Sequence, residues 1–200
     1  MILGDFHFEI LSDKNSILLE DFTCQEDRAY LDELGCNKKS RRKIISHNNE
    51  IEDFLKSEAL LEQKLSLNTT HLMIKDNELI GFVSLCNDCI PLEVDEKELY
   101  GFTYKTIPAL KIARLAVASK YQRKGIANKL LDYVIYLAVK IREISGVSFI
   151  TLDCYSHRLS FYKTKHGFIV NEIQEESKAD DKPISMRMYI DEYLTQLYNT

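Results

Sequence analysis

The clearest pattern of hydrophobic and polar positions in this chain lies between residues 110 and 141. Residues 110–117 are apolar except for Lys111 and Arg114, which predicts a short and largely buried strand. The polar stretch 119–124 that follows predicts a turn. Beyond it, apolar residues fall on one helical face at Ala127, Leu130, Leu131, Val134, Ala138 and Ile141. The pattern therefore predicts a strand, a tight turn and a long amphipathic helix, in that order.

The N-terminal half of the chain predicts a mixture of strands and helices. The predicted strands cover 6–11, 71–74 and 79–85, with a hairpin turn at Asp76 and Asn77, and the predicted helices cover 27–34 and 49–65. Asn49, with Glu52 three residues later, predicts the cap of the second helix. The basic run 38–43 lies between the two helices. We predict a solvated loop there, with a site for a polyanion as the alternative.

The residues after the long helix predict a strand, a short helix and a closing hairpin. The predicted strand covers 147–153, the helix covers 158–166 after an N-cap at Ser156, and a strand over 184–190 pairs with 168–173. Gly167 and Phe168 have the order of a Schellman stop, in which a left-handed residue ends a helix. An acidic loop covers 171–182, and no element is predicted over 93–106.

The turn before the long helix has the chemistry of an anion site. Backbone N–H groups in the first turn of a helix lack partners within the helix, and the helix dipole adds positive charge there. Together they favour a phosphate. Gly125 has no side chain to keep a ligand from the backbone, and Arg123 and Lys124 add positive charge. An ordinary loop glycine is the alternative for Gly125 taken alone.

Two motifs in the chain resemble those of a known enzyme family. There is no P-loop and no Gly-x-Gly-x-x-Gly sequence, but Gln122-x-x-Gly125-x-Ala127 resembles the pyrophosphate-binding signature of the GNAT N-acetyltransferases. The Ala-Arg-Leu-Ala-Val sequence before it resembles the central strand of that family. Downstream, Ser-Phe-Tyr162-x-x-x-x-Gly167-Phe resembles the closing motif, in which the helix tyrosine faces the cofactor sulfur. Taken alone, Tyr162 would be a core aromatic residue.

The resemblance implies a fold, a cofactor and a cofactor site. The implied fold is α/β, a single N-acetyltransferase domain over residues 1–200, with a mixed and mostly antiparallel sheet, a splayed central pair of strands and flanking helices. The cofactor-binding core would cover about 108–170. The implied cofactor is acetyl-CoA. The implied cofactor-binding residues are Leu115, Ala116, Val117, Gln122, Arg123, Lys124, Gly125, Ile126, Ala127 and Ser160.

The implied reaction moves an acetyl group from acetyl-CoA to a primary amine, by direct attack within a ternary complex. Tyr162 is the implied catalytic residue and would protonate the departing sulfur, since a tyrosine with its ordinary pKa of ~10 carries a proton at neutral pH. Glu98, Asp153 and a water chain stay open as the base. For Arg114, contact with the acceptor and a salt bridge to a carboxylate such as Asp153 stay equally open.

Much of the chain also resembles the GNAT subgroup that includes toxins acetylating aminoacyl-tRNA. The similarity rests on residues 52–59, 81–85 and 107–117 together with the two motifs. However, the 31 acidic and 26 basic residues give a net charge of −5, which argues against a tRNA partner. A small or peptidic amine is therefore the predicted acceptor. Acetylation of aminoacyl-tRNA and a non-catalytic acyl-CoA-binding module are the alternatives.

The remaining composition predicts a cytoplasmic protein with reduced thiols. The five cysteines are an odd number, and the sequence has no signal peptide and no apolar run of the ~20 residues that a membrane helix needs. Cys86 and Cys89 are spaced as half of a zinc site, but the other half is missing. We therefore predict two ordinary thiols, no metal site and no membrane partner. The sequence leaves a homodimer open.

Overall fold

The structure is a computed structural model that describes residues 2–3, 5–174 and 182–198. In these residues the strands are β1 (Ile2–Leu3), β2 (Phe6–Ile10), β3 (Thr69–Lys75), β4 (Glu78–Pro91), β5 (Thr106–Val117), β6 (Phe149–Cys154), β7 (Ile169–Val170) and β8 (Ile184–Tyr189). The helices are α1 (Arg28–Glu33), α2 (Lys38–Asp53), α3 (Ala59–Lys64), α4 (Val94–Tyr100), α5 (Ile126–Arg142), α6 (Leu159–His166) and α7 (Ile190–Tyr198). The strand, turn and long helix predicted around residue 120 are confirmed as β5, its following turn and α5.

The chain divides into two compact units. The first unit comprises residues 1–85 and 114–132, and the second comprises 86–113 and 133–200. Strands β4 and β5 and helix α5 each contribute residues to both units.

The sheet of the first unit has the strand order β1-β2-β3-β4-β5. Strand β2 pairs antiparallel with β3, and β3 pairs antiparallel with β4, with Leu72 opposite Phe82. Asp76 and Asn77 both have positive φ, 48° and 60°, as the two central residues of a type I′ hairpin turn require. The predicted hairpin is therefore confirmed, although β4 continues to Pro91, beyond its predicted end.

The sheet of the second unit has the order β4-β5-β6-β8-β7. Strands β5 and β6 are parallel, from Ala109 opposite Phe149 to Ile112 opposite Leu152. A parallel pair needs a long crossover connection, and α5 lies in the chain between these two strands. Strand β8 pairs antiparallel with both β6 and β7. The predicted mixed, mostly antiparallel sheet and the closing hairpin are confirmed, while residues 175–181 of the acidic loop lie outside the described part of the chain.

The prediction of a solvated loop at residues 38–43 is wrong, because these residues form the start of α2. Asn37 is the N-cap, and its side chain accepts a hydrogen bond from the backbone N–H of Ser40 at 2.9 Å. Asn49 therefore lies inside the helix and does not begin it. A π-helical turn, Phe54–Glu58, carries the helix on into α3. Lysine and arginine are good helix formers, so a run of them on an exposed face does not interrupt a helix.

Three further elements differ from the sequence predictions. Residues 94–100 form α4, which begins at a capping box between Glu93 and Glu96. Helix α7 was not predicted. Ser156 begins a short 3-10 turn before α6 and does not cap that helix with its side chain. The helix stop at Gly167 is confirmed, with a φ of 66° and a hydrogen bond from Phe168 N to Tyr162 O at 3.2 Å.

Strand β4 passes very close to β5 and α5 in the first unit. A Cβ atom on Gly81 would lie 3.0 Å from the backbone oxygen of Ala116 and 3.1 Å from Leu130 Cδ1. Leu130 is fully buried. Only glycine fits this approach without movement of a neighbour, so Gly81 sets how closely β4 packs against the strand that leads into the turn.

The structure also bears on the membrane and thiol predictions. No helix of the described residues has the length and hydropathy needed to cross a bilayer. All five cysteines are free thiols. Cys86 is half-buried and Cys89 is exposed, both on β4. Within the described residues, no three or more His, Cys, Asp or Glu side chains are grouped as metal ligands.

Candidate functional site

The turn between β5 and α5 presents its backbone to open space. After a 3-10 turn at Ser119–Tyr121, Arg123 and Gly125 both adopt positive φ, 59° and 78°. A Cβ atom on Gly125 would meet no heavy atom within 4 Å. The Gly125 carbonyl accepts a hydrogen bond from Lys129 N at 3.3 Å, so α5 begins directly after this glycine. The first-turn N–H groups and the helix dipole of a 17-residue helix therefore face an accessible surface.

The first unit brings together nine of the ten predicted cofactor-binding residues. They lie at the end of β5 (residues 115–117) and in the following turn and helix start (residues 122–127). Ala116, Val117 and Ile126 are buried and fix the backbone at both ends of the turn. The exposed residues at its tip are Arg123, Lys124 and Gly125. The site thus has a rigid base and a tip that is exposed and basic, which suits an anionic ligand.

The two basic side chains at the tip contact neighbouring groups on the first unit. Arg123 lies 4.9 Å from the centroid of the Tyr30 ring, and its guanidinium is 3.8 Å from the Asp27 carboxylate. Lys124 donates a hydrogen bond to the backbone oxygen of Lys120 at 2.8 Å. These contacts are exposed and individually weak, so both cations remain able to turn toward a bound anion.

Glu78, at the start of β4, holds the middle of the turn. Its carboxylate accepts a hydrogen bond from the Tyr121 hydroxyl at 2.9 Å and forms an ion pair with Lys120. Chiefly through the hydrogen bond from Lys120, the pKa of Glu78 is lowered below its ordinary value. The pKa values of Lys120 and Tyr121 are raised, in each case mainly by the hydrogen bond to Glu78. At neutral pH the group is therefore an ionised carboxylate with two protonated donors.

The side chain of Gln122 is used within the protein. Its amide nitrogen donates to the backbone oxygen of Cys24 at 2.8 Å and to that of Val117 at 3.2 Å. The two N–H bonds of this amide are both directed at these carbonyls. A ligand at the turn would therefore meet the backbone of Gln122, while its side chain stabilises the turn.

Tyr162 lies on α6 of the second unit, among other aromatic rings. Its ring packs edge-on against Phe161 and Phe168, with centroids 5.0 and 5.7 Å apart. Burial raises its pKa to about 12; the nearby Cys154 adds to the rise and Arg158 opposes it. The phenol therefore keeps its proton at neutral pH. Ser160, the tenth predicted cofactor residue, is exposed two residues earlier on the same helix.

Three charged residues stay open from the sequence, Asp153 and Glu98 as the base and Arg114 as a contact to the acceptor. Asp153 forms an ion pair with Lys111 at 2.7 Å. Burial lowers the pKa of Lys111, but the hydrogen bond to Asp153 and the nearby charges outweigh it, so the net pKa is raised. Arg114 is exposed, with its guanidinium 5.2 Å from the Phe54 ring centroid. Glu98 is exposed on α4.

A buried charge in the second unit was missed in the sequence. Arg187 is 2% exposed and forms an ion pair with Glu96, while Asn171 accepts a hydrogen bond from it at 3.0 Å. Burial lowers the pKa of Arg187. The only signal in the sequence is an arginine between two methionines of an alternating strand, which by pattern alone would face solvent.

Comparison with known proteins identifies the fold. A protein-family model described as "Acetyltransferase (GNAT) domain" matches residues 67–170. A tyrosine-to-phenylalanine mutant of KacT superposes with a TM-score of 0.72 at 14% identity, covering 96% of this chain and 99% of KacT. AtaT complexed with acetyl-methionyl-tRNAfMet gives 0.72 at 16% identity, over 98% and 100% of the two chains. AtaTR bound with acetyl-CoA gives 0.69 at 16% identity, over 98% and 99%.

The matched range, 67–170, contains β3 to β7, the turn before α5 and Tyr162. It covers just over half of the chain, and the fold superposes on those of the solved neighbours over nearly the whole length. This chain therefore belongs to the GNAT acetyltransferase family.

Proposed function

We propose that this protein transfers an acetyl group from acetyl-CoA to a primary amine. The observation that carries the proposal is the turn before α5, where Gly125 has a φ of 78° and open space above it. That turn lies within the matched range of the GNAT domain. A pyrophosphate is the part of CoA that such a helix start accommodates, since it brings two negative charges to backbone N–H groups.

Residues in the turn and in the strand before it fit two parts of acetyl-CoA, the pyrophosphate and the pantetheine arm. The backbone of Gln122 to Ala127 would hold the pyrophosphate, with Arg123 and Lys124 supplying positive charge beside it. The end of β5, Leu115 to Val117, would hold the pantetheine arm with its backbone groups. The AtaTR structure with acetyl-CoA shows that a protein of this fold takes the same cofactor.

Acetyl-CoA supplies an activated acetyl group, and in our proposal the chain supplies a proton. The acceptor nitrogen would attack the acetyl carbon directly and lose its proton to water as the carbon–sulfur bond breaks. The Tyr162 hydroxyl would donate its proton to the sulfur and regain one from water. Burial favours this role, because it raises the pKa of Tyr162 to about 12 and keeps the phenol protonated.

Acetylation of aminoacyl-tRNA is the second candidate, and one feature of the structure favours it. The basic run 38–43 is helical, which fixes Lys38, Lys39 and Arg42 as exposed cations on the first turns of α2. A fixed basic helix end binds nucleic acid better than a mobile loop does, since less conformational freedom is lost. AtaT, with a similar fold, has been solved with acetyl-methionyl-tRNAfMet. The net charge of −5 opposes this candidate.

The experiment is to measure release of free thiol from acetyl-CoA, with a panel of amines and with charged tRNA as acceptors. For Tyr162→Phe we expect kcat to fall by ~10²- to 10⁴-fold with little change in KM for acetyl-CoA, because only proton donation is lost. Tyr136→Phe, an exposed tyrosine on α5, is the matched control and should behave as wild type.

Each outcome distinguishes the candidates. Turnover with amines that collapses in Tyr162→Phe supports the proposal, and turnover with charged tRNA alone supports the second candidate. Binding of acetyl-CoA without turnover on any acceptor would instead indicate a non-catalytic acyl-CoA-binding module. Equal kcat for wild type and Tyr162→Phe would remove Tyr162 from the mechanism.

A further inference from the structure

The turn before α5 is attached to a short segment near the N-terminus, residues 23–26, here called the bracing segment. The Ser119 backbone N–H donates to Thr23 O at 2.8 Å, and the Ser119 hydroxyl lies 2.8 Å from Gln25 O. The Gln122 side chain donates to Cys24 O at 2.8 Å. Three successive carbonyls of the bracing segment thus accept hydrogen bonds from the two ends of the 119–122 turn.

The other side of the bracing segment is bound by helix α2. One carboxylate oxygen of Glu52 accepts hydrogen bonds from the Thr23 hydroxyl at 2.9 Å, the Cys24 backbone N–H at 2.9 Å and the Gln25 side chain at 3.1 Å. Asn49, one turn before Glu52, accepts a second hydrogen bond from Gln25 at 2.8 Å. The carbonyls of residues 23–25 therefore face the turn, while the other polar groups of the segment bind α2, at Glu52, Asn49 and Asn48.

The segment has no regular secondary structure of its own, so its position depends on these contacts and on two from Asn48, to the Cys24 thiol and the Glu26 carboxylate. Cys24 is buried and anchors it in the core of the first unit, next to Phe22. A carboxylate that accepts three hydrogen bonds holds its donors more strongly than a neutral acceptor would. Removal of Glu52 would leave the Cys24 N–H and the Thr23 hydroxyl without this acceptor, while Gln25 would keep Asn49 and Glu26 would keep Asn48. The start of the segment, which carries the Thr23 and Cys24 carbonyls, would then be held less firmly.

We propose that Glu52 is a positioning residue for the cofactor turn, acting through the bracing segment. This inference rests on the proposed function, since it assigns the turn to acetyl-CoA. Glu52 touches neither the cofactor nor the acceptor in this proposal. Glu52 holds in place the three carbonyls to which Ser119 and Gln122 donate hydrogen bonds. The positions of Ser119 and Gln122 in turn orient the backbone N–H groups at the start of α5. Residues 23–26, for which the sequence indicated no role, thereby become part of the cofactor site.

The first test compares binding of acetyl-CoA by calorimetry in wild type, Glu52→Ala, Glu52→Gln and Glu50→Ala. We expect Glu52→Ala to raise Kd about tenfold, because small displacements of a binding turn are costly. Glu52→Gln keeps an accepting oxygen and should raise Kd only about threefold, a partial rescue. Glu50→Ala is the matched control, since Glu50 is exposed on the same helix, and its Kd should stay within about twofold of wild type.

Kinetics separate positioning from a general loss of structure. If Glu52 positions the turn, Glu52→Ala should raise KM for acetyl-CoA while kcat at saturating cofactor stays within about threefold of wild type. Should Glu52→Ala fail to fold, Ser119→Ala tests the same attachment from the other side. In a folded double variant, the Ser119 and Glu52 substitutions should be less than additive, because both act through residues 23–26.

A readout in the free protein keeps the inference distinct from the proposed function. The Ser119 amide proton is bonded to Thr23 O, so Glu52→Ala should lower its protection from hydrogen exchange at least tenfold, while Glu50→Ala should not. Unchanged protection, or unchanged Kd in a folded Glu52→Ala protein, overturns the inference. If wild type binds no acetyl-CoA, the cofactor assignment fails, and with it the functional role of Glu52, whatever the exchange shows.

Discussion

At the scale of single residues, Tyr162 shows what burial adds to a motif. From the sequence we expected Tyr162 to lie in the closing motif and to have the ordinary pKa of a tyrosine. In the folded protein, burial raises that pKa to about 12. A proton donor is lost only as the pH rises through its pKa in the folded protein, so more than nine tenths of Tyr162 stays protonated at pH 10. If Tyr162 is the acid, no loss of activity below that pH can come from its ionisation.

We therefore expect kcat to show no descending limb between pH 7 and 10, measured at saturating acetyl-CoA and acceptor and corrected for thioester hydrolysis without enzyme. Deprotonation of the acceptor amine favours attack, so kcat should rise or stay level across this range. A descending limb centred near pH 9, absent in an otherwise active Tyr162→Phe protein, would show that the buried phenol titrates far below its expected pKa.

The ion pair between Lys111 and Asp153 could not be predicted from the pattern of residues along either strand. The reason is the register of the parallel pair, which places Lys111 opposite Thr151 and so beside Asp153 on the same face. Register depends on how two strands dock, and neither strand shows it in its own sequence.

At the scale of elements, alternation and helical periodicity located most strands and α5, and turn residues located the hairpin at Asp76 and Asn77. The predictions of elements were wrong where the same local sequence is compatible with two structures. The basic run 38–43 is compatible with a loop or with the exposed face of a helix, and Asn49 resembles a cap although it lies within α2. The candidate site shows the same difference. The turn and Tyr162 were proposed from sequence motifs, whereas the bracing segment is recognised only from contacts between residues far apart in sequence.

The start of α2 gives an element-scale prediction. If Asn37 caps this helix, Asn37→Ala should lower the free energy of unfolding by about 1 kcal/mol, since the Ser40 N–H loses its acceptor. Urea denaturation with an unchanged m value would measure it. Ser46→Ala, an exposed change within the same helix, should be neutral or slightly stabilising. Equal stabilities for wild type and Asn37→Ala would place the start of the helix closer to Asn49, as the sequence suggested.

At the scale of the whole molecule, a buried histidine links stability to pH. His71 lies in the middle of β3, between Ile10 of β2 and Val83 of β4, and is 8% exposed. Burial lowers its pKa to about 4, whereas an unfolded histidine has a pKa of ~6.5. Between these values the unfolded chain binds the proton and the folded protein does not. The stability due to neutral His71 is therefore complete above pH 6.5 and is lost as the pH falls through 6.5 toward 4.

The full effect of this linkage is roughly 3 kcal/mol, of which about 2 kcal/mol should be lost between pH 7 and pH 5. The protein also loses stability in acid when carboxylates with lowered pKa values, such as Glu78, become protonated. Wild type must therefore be compared with a variant that keeps these carboxylates. In His71→Gln the side chain does not titrate, and the fall in unfolding free energy from pH 7 to pH 5 should be smaller than in wild type by about 2 kcal/mol. Urea denaturation of both proteins at the two pH values measures this difference directly. If the unfolding free energy falls equally in the two proteins, His71 is protonated in the folded protein without loss of stability, and its position in β3 tolerates a charged imidazole.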